Sequence, residues 1–325
     1  MIAAWYEAQG TSAVLTVGEM PVPRPAMGEV RVKMSLSSVN PGDTKKRRGW
    51  QGSAMPYPRV VPHSDGVGVI DAVGEEVPGM RVGDRVWVFG AQSYRAYGTA
   101  AQYTAVPAWQ AVPVPEGVDD TLAACLGIPG VTAHRAVFAD GEVVGRTVLV
   151  HAVLGAVGSS AAQLARWRGA SVVGTVRSRA DIDEAHARGH DHVVALDDDD
   201  AADSIRRLAG GPVDRIVEVA FSDNVDLDAA VAANGGIIAA YGTRDDRPSL
   251  PFWPMLFDNI TIRLLGSDDF PRSAKERAAA DLSEAAREGA LSFPVLPALP
   301  LENIADAHDL VDRGSRRRVV LAIPE

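Results

Sequence analysis

The sequence predicts an α/β protein: a β-rich domain joined to a domain built on a doubly wound parallel sheet. Three observations carry this. Residues 147–179 run strand, glycine turn, helix, strand. Residues 1–118 are rich in short β-branched runs separated by Gly and Pro. From residue 119 onward, strand-like and helix-like segments alternate.

The central stretch is the most specific of the three. Thr147, Val148, Leu149 and Val150 form an apolar, β-branched run, and the turn after it carries Gly155 and Gly158. Residues 159–168 are Ala-rich and read as helix, Gly169 ends it, and residues 171–176 are a second apolar run. Such a βαβ unit is the minimal dinucleotide-binding element. Its glycines let the backbone approach a pyrophosphate. The N–H groups of the first helical turn, at Ala156, Val157 and Gly158, then hold the anion at the positive end of the helix dipole. The first glycine of the usual G-x-G-x-x-G is missing, and Ala152 stands in its place. By themselves, Gly155 and Gly158 also fit packing glycines in any βα turn.

Before this unit, residues 1–6 read as a first strand, followed by strand-like runs at 30–34, 66–70 and 85–88. Val77-Pro78-Gly79-Met80 and Val82-Gly83-Asp84 read as turns, which makes the domain compact and mostly antiparallel. Asp119 or Asp120 can cap a helix over 121–126. Gly127 and Pro129 break it, and a second helix is expected from near Thr132. After the βαβ unit, strands are expected at 193–196, 215–219, 236–240 and 260–265. Helices over 201–209 and 224–233 fall between them. A helix over 273–288 ends at Gly289, and the strand-like run 318–323 reads as returning to the N-terminal domain.

Composition narrows the function classes. A length of 325 residues suggests two domains. The net charge of −10 argues against nucleic-acid binding. Lys45-Lys46-Arg47-Arg48 and Arg316-Arg317-Arg318 read as solvated surface. Asp197-Asp198-Asp199-Asp200 reads as a solvated loop, since contiguous carboxylates rarely converge on a metal. His186, His190 and His192 fall at a helix end and in a helix–strand loop, and no metal is assigned to them. Cys125 is the sole cysteine, so no intramolecular disulfide can form. Together with an N-terminus lacking a basic leader, this points to the cytoplasm. No apolar run reaches the roughly 20 residues that span a bilayer.

Across essentially its whole length the chain resembles the medium-chain dehydrogenase/reductase superfamily. Within it, the similarity is to the zinc-independent quinone oxidoreductases, the zeta-crystallin-like branch. The matching segments are Asn40-Pro41-Gly42-Asp43-Thr44, His63-Ser64-Asp65-Gly66-Val67-Gly68-Val69-Ile70, Val82-Gly83-Asp84-Arg85-Val86, Leu126-Gly127-Ile128-Pro129-Gly130-Val131-Thr132-Ala133 and the Ala152-x-x-Gly155-x-x-Gly158 turn. The resemblance implies a GroES-like catalytic domain over 1–120, completed by 268–325. It also implies a Rossmann coenzyme domain over 121–267, with an active-site cleft between the two. Zinc-dependent relatives place Cys, a His-Glu pair and a second Cys at matched positions. Here those positions hold Asn40, Ser64 with Asp65, and about Ile128. A catalytic zinc needs three such protein ligands. Without a Lewis acid, reduction of conjugated, electron-poor acceptors is favoured over alcohol oxidation.

NAD-binding βαβ units carry an acid at the end of the second strand. Here that strand ends in Arg177-Ser178-Arg179, which can clamp a 2′-phosphate, so NADPH is expected. Otherwise these two arginines are exposed loop charges. The Tyr that relatives carry near the adenosine phosphate is replaced by Leu196 and Asp197.

For the chemistry, Asn40 can orient or polarise the acceptor. Asp43 fits either a site role or a capping role. Ser64 is read as a small polar group where a metal ligand would otherwise stand, or as a strand-end hydroxyl bonding backbone. The Tyr of the family motif is replaced by Lys45, and no general acid is named. Thr132, Tyr241, Gly242 and Ser267 are expected to line the nicotinamide side. Trp50, Tyr57 and Trp253 are expected to contact the acceptor, although the aromatic group at 252–253 also fits interface packing.

The expected activity is direct hydride transfer from NADPH to a quinone, without metal or flavin. Reduction of the C=C bond of an α,β-unsaturated carbonyl is the alternative. A non-catalytic, crystallin-like nucleotide-binding protein is the reading from another class. A homodimer or higher homo-oligomer is expected, formed through the apolar edge at 260–265.

Overall fold

The computed structural model describes residues 1–325. The chain divides into two compact units, one formed by residues 1–129 with 279–325 and the other by 130–278. No helix is long and apolar enough to cross a membrane.

The first unit begins with β1 (Ile2–Trp5) and β2 (Thr16–Glu19), an antiparallel pair. Its organising strand is β3 (Glu29–Val39), followed by α1 (Pro41–Arg48), β4 (Asp65–Val73), β5 (Arg85–Val88), β6 (Tyr103–Pro107), β7 (Ala111–Pro113) and α2 (Asp120–Cys125). Val30, Val32 and Met34 of β3 point into the core while Arg31 and Lys33 alternate outward, the period-two pattern of a strand buried on one face. Asp119 caps α2 by accepting the Leu122 N–H at 2.8 Å. Cys125, at the end of α2, is fully buried.

The second unit contains α3 (Ile128–Phe138, beginning just before the division), β8 (Thr147–Val150), α4 (Ala156–Trp167), β9 (Ser171–Val176), α5 (Ile182–Ala187) and β10 (Val193–Ala195). It continues through α6 (Ala201–Ala209), β11 (Val213–Glu218), α7 (Phe221–Val231), β12 (Ala232–Ala240), α8 (Phe252–Phe257), β13 (Thr261–Leu264) and into α9 (Arg272–Arg287). Its strands form a six-stranded sheet in the order β10-β9-β8-β11-β12-β13, every pair parallel. This is the doubly wound order, with its switch point between β8 and β11. The core packs Leu149, Val173, Ile205, Ile216 and Ile238 at 0–1% exposure. Each such side chain contributes about 1.5–3 kcal/mol on burial. The alternating elements appear where the sequence places them. Two boundaries differ: α3 starts four residues before Thr132, and β12 starts at Ala232, inside the stretch expected as helix. Pro129 lies in the first turn of α3, where the missing N–H costs no helical bond.

The remaining chain, β14 (Leu299–Pro300), α10 (Ile304–Asp312) and β15 (Val319–Ala322), belongs to the first unit. β15 runs antiparallel to the C-terminal half of β3, while β6 pairs with its N-terminal half and β4 with its other edge.

Two basic runs depart from the surface reading. Arg47 is 0% exposed and paired with Asp312 at 2.7 Å, and Arg318 is 6% exposed. The acidic run keeps its solvated reading at Asp197, Asp199 and Asp200, while Asp198 is half-buried against Arg179.

The β3–β4 pairing leaves no room at Gly68, where an added Cβ would stand 2.1 Å from the Lys33 carbonyl oxygen. Gly68→Ala is therefore expected to destabilise the protein by about 1–3 kcal/mol or more, as backbone displacement in a packed sheet does. A melting temperature within 2 °C of wild type would refute this.

Candidate functional site

In the 130–278 unit, the C-terminal ends of the parallel strands form one edge of the sheet. At the switch point, β8 leads through a tight turn into α4. Ala152, where the fingerprint glycine is missing, has φ +54°. A non-glycine residue in this left-handed region costs about 1–2 kcal/mol. Its carbonyl oxygen accepts the Gly155 N–H at 2.8 Å, and a Cβ on Gly158 would sit 2.3 Å from that oxygen. Only glycine fits at 158, so the first turn of α4 is drawn tightly against the strand end. No side chain caps α4, and Gly155, Ala156 and Val157 are partly exposed. The cradle fits a dinucleotide pyrophosphate.

The other expected coenzyme residues lie in the same unit. Tyr241 and Gly242 follow β12, and a Cβ on Gly242 would stand 2.5 Å from the Val219 carbonyl oxygen. Ser267 opens a short 3-10 turn after β13, and Thr132 is buried in α3. At the end of β9, Arg177 is exposed and Ser178 half-buried. Arg179 is 73% exposed, but its Nε donates to Asp198, and its backbone N–H donates to Asp197 at 3.0 Å.

Sequence reasoning missed a buried cluster beneath this edge. His151 follows β8, Glu218 ends β11 and Asp228 lies on α7. His151 Nε2 is 2.8 Å from Asp228 Oδ1 and 3.3 Å from Glu218 Oε2, and all three side chains are at most 1% exposed. Thr175 Oγ1 is 2.9 Å from His151 Nδ1. These donor atoms lie within 4.8 Å of one another. At 2.8 Å, however, the His151–Asp228 contact is itself a charge-assisted hydrogen bond, so a proton fills that space. Burial pushes Glu218 up to about 7, with His151 opposing and Asp228 adding to the shift. Burial also disfavours the His151 imidazolium, but Asp228 and Glu218 outweigh it and its pKa rises. A histidine one residue past a strand was the only sequence signal, since its partners lie 67 and 77 positions away. Of the three histidines first considered, His190 is buried and bonded to Arg166, and is pushed down to about 4 by burial and then Arg166.

In the other unit, Asn40 precedes α1 and is buried. Its Nδ2 donates to Asp65 Oδ2 at 2.6 Å, and its Oδ1 accepts from Arg318 Nη1 at 3.0 Å. Asp65 Oδ2 also accepts the Ile128 N–H at 2.9 Å. Burial raises Asp65 to about 6, with the Asn40 bond, Arg318 and the backbone donors pulling it back. Asp43 accepts the Asn40 N–H at 2.8 Å, the reciprocal half of a capping box. Ser64 is buried beside Asp65. Next to it, His63 Nε2 is 2.9 Å from His308 Nε2, and Ser37 Oγ is 2.9 Å from His63 Nδ1. Trp50 is exposed beneath the Lys45 ammonium, 5.6 Å from its ring centroid. Tyr57 donates its hydroxyl to the Tyr94 carbonyl at 2.5 Å. Trp253 lies on α8 of the coenzyme unit, edge-on to Phe252.

A parallel sheet of this order, a glycine cradle at its switch point and a separate β-rich unit define a nicotinamide-dinucleotide oxidoreductase. Family models agree. Residues 26–116 match the alcohol dehydrogenase GroES-like domain, and residues 156–283 match zinc-binding dehydrogenase. The chain is 30% identical to quinone oxidoreductase of Mus musculus over 319 residues, covering 95% of this chain and 93% of that one. Among solved structures, an NAD-dependent alcohol dehydrogenase superposes with a TM-score of 0.88 at 30% identity, covering all of both chains. A mycobacterial protein complexed with NADPH superposes with a TM-score of 0.83 at 27% identity, covering 99% of each. The chain belongs to the medium-chain dehydrogenase/reductase superfamily, in its quinone oxidoreductase family.

The buried cluster has a measurable consequence. Glu218 titrates near its ordinary 4.5 in the unfolded chain and near 7 in the fold. The fold therefore binds more protons between those values, and its stability falls as pH rises through them. Glu218→Gln removes that titration. Its melting temperature is expected to rise relative to wild type between pH 5 and pH 8. A constant gap across that range would sink the assignment.

Proposed function

We propose that the protein is an NADPH-dependent reductase that delivers hydride to a quinone without metal or flavin. The observation that carries this reading is the network Asp65–Asn40–Arg318. At the positions where zinc-dependent relatives place their ligands, this chain holds the Asn40 amide and Ser64. A guanidinium donates to Asn40 Oδ1 at 3.0 Å. Amide oxygen is a weak zinc ligand, and a fixed cation bonded to it repels a second one.

When bound, the dihydronicotinamide supplies the hydride. The chain's part is to bind and orient. The Gly155–Gly158 cradle receives the pyrophosphate, and Arg177, which forms no ion pair, is free to meet a 2′-phosphate. Thr132, Tyr241, Gly242 and Ser267 contribute polar groups on the nicotinamide side. One Asn40 Nδ2 hydrogen is engaged by Asp65, and we assign the second to the acceptor oxygen. Asp43 acts through the α1 cap that positions Asn40, and Ser64 lends a small polar surface. Trp50 and Tyr57, in the β-rich unit, offer flat aromatic faces to the acceptor, and Trp253 is left to the subunit edge described next. The Tyr57 hydroxyl donates to the Tyr94 carbonyl and is not assigned as a proton donor.

β13 closes the sheet on one side and exposes Leu264, and α8 exposes Phe252, Trp253 and Phe257 at 57–71%. We assign this apolar edge to a second copy in a homodimer, because an open, apolar strand edge is otherwise a liability. Sedimentation is expected to show a dimer, and a monomer at micromolar concentration would overturn the assignment.

Activity is tested with a panel of quinones and α,β-unsaturated carbonyls, following oxidation of NADPH and NADH. Quinones are expected to be the better acceptors, with NADPH preferred. Arg177→Ala is expected to raise KM for NADPH about tenfold or more and leave that for NADH nearly unchanged, as loss of a charge-assisted phosphate contact does. An equal effect on both coenzymes would reject NADPH. Coenzyme binding without reduction of any acceptor would favour the non-catalytic reading.

A further inference from the structure

The acidic run 197–200 lies against the basic end of β9, and the two are coupled by specific contacts. Arg179 Nε donates to Asp198, and the Arg179 backbone N–H donates to Asp197 Oδ1 at 3.0 Å. The Arg179 guanidinium is 73% exposed while Asp198 is 15% exposed, so the carboxylate is the better-anchored partner. Arg177, two residues earlier, is exposed and makes no ion pair. In a dinucleotide-binding unit, the end of this second strand faces the adenosine ribose, and an arginine there receives the 2′-phosphate of NADPH. Two arginines thus stand at one position, one free and one already neutralised.

We propose that Asp198 sets the coenzyme selectivity of the protein by holding Arg179 away from the 2′-phosphate, leaving recognition to Arg177. This inference rests on the NADPH reading and adds a selectivity residue to it. The phosphate carries more negative charge than a carboxylate and accepts through three oxygens, so it competes for the same guanidinium. The carboxylate wins without coenzyme because it is tethered three residues past β10. When NADPH binds, Arg179 either stays with Asp198 or leaves it uncompensated, and both outcomes weaken the phosphate contact. NADH, which has only ribose hydroxyls there, is indifferent to the exchange. Asp198 therefore narrows the difference in affinity between the two coenzymes. An exposed ion pair is worth at most about a factor of five in affinity, which bounds the effect.

The test uses calorimetric titration of the full-length protein with adenosine 2′,5′-bisphosphate and with adenosine 5′-diphosphate at fixed ionic strength. Asp198→Asn is expected to tighten the 2′-phosphorylated ligand about three- to fivefold and change the other by less than twofold. Arg179→Ala in the wild-type background is expected to have less than a twofold effect on either. Added to Asp198→Asn, it is expected to abolish the gain. A gain that survives Arg179→Ala, or that is equal for both ligands, would overturn the proposal, since it would reflect general charge rather than release of Arg179. If wild type prefers the 2′-phosphorylated ligand and Asp198→Asn leaves that preference unchanged, the Asp198 assignment alone fails. If wild type shows no such preference and Arg177→Ala changes nothing, the NADPH reading fails, and the Asp198 proposal with it.

Discussion

The β-rich unit is organised around one buried carboxylate. Asp65 is fully buried, accepts from the Asn40 amide and the Ile128 N–H, and lies close to Arg318 through Asn40. A Cβ on Gly127 would stand 2.2 Å from its Cγ. A charge in that position is tolerated only when donors converge on it. Two segments far apart in sequence supply them, Asn40 before α1 and Ile128 at the start of α3, and Arg318 just before β15 adds its charge through Asn40. The short sequence motifs around Asn40, Asp65 and Gly127 are thus sides of a single electrostatic enclosure. Their spacing along the chain follows from the need to meet there.

The coenzyme unit solves a related problem differently. Its strand ends must bring backbone close to a polyanion, so side chains are excluded at Gly158 and Gly242 by near contacts with carbonyl oxygens. Ala152 adopts the backbone conformation a glycine would take, and its methyl group points into exposed space. The fingerprint is thereby kept in geometry where it is lost in letters. Below it, His151, Glu218 and Asp228 place a charged, hydrogen-bonded network at the base of the turn, and the Glu218 carbonyl accepts the Tyr241 N–H.

The regular elements were legible in the sequence because their signals are local. Alternation in β3, the apolar runs of the parallel strands and the caps at Asp119 and Gly169 all arise within a few residues. What escaped depends on distant partners. Arg47 and Arg318 look like members of solvated basic runs until Asp312 and Asn40 are known to face them. Asp198 looks like one of four equal carboxylates until Arg179 is seen beside it. His151 carries no local mark of its two acids. For the candidate site, the glycine cradle and the basic end of β9 were readable, whereas Asp65 was named only as a neighbour of Ser64. Its role emerges from a fold-wide convergence that spacing cannot encode.

The chain's sole thiol also bears on durability. Cys125 lies at the end of α2 with 1% of its surface exposed. Quinones and enones are soft electrophiles that consume thiolates by conjugate addition, and a protein handling them at high local concentration risks covalent self-inactivation. Here the sole thiol is kept from solvent. Exposure to soft electrophiles is accordingly expected to leave this thiol unmodified, because burial alone shields it.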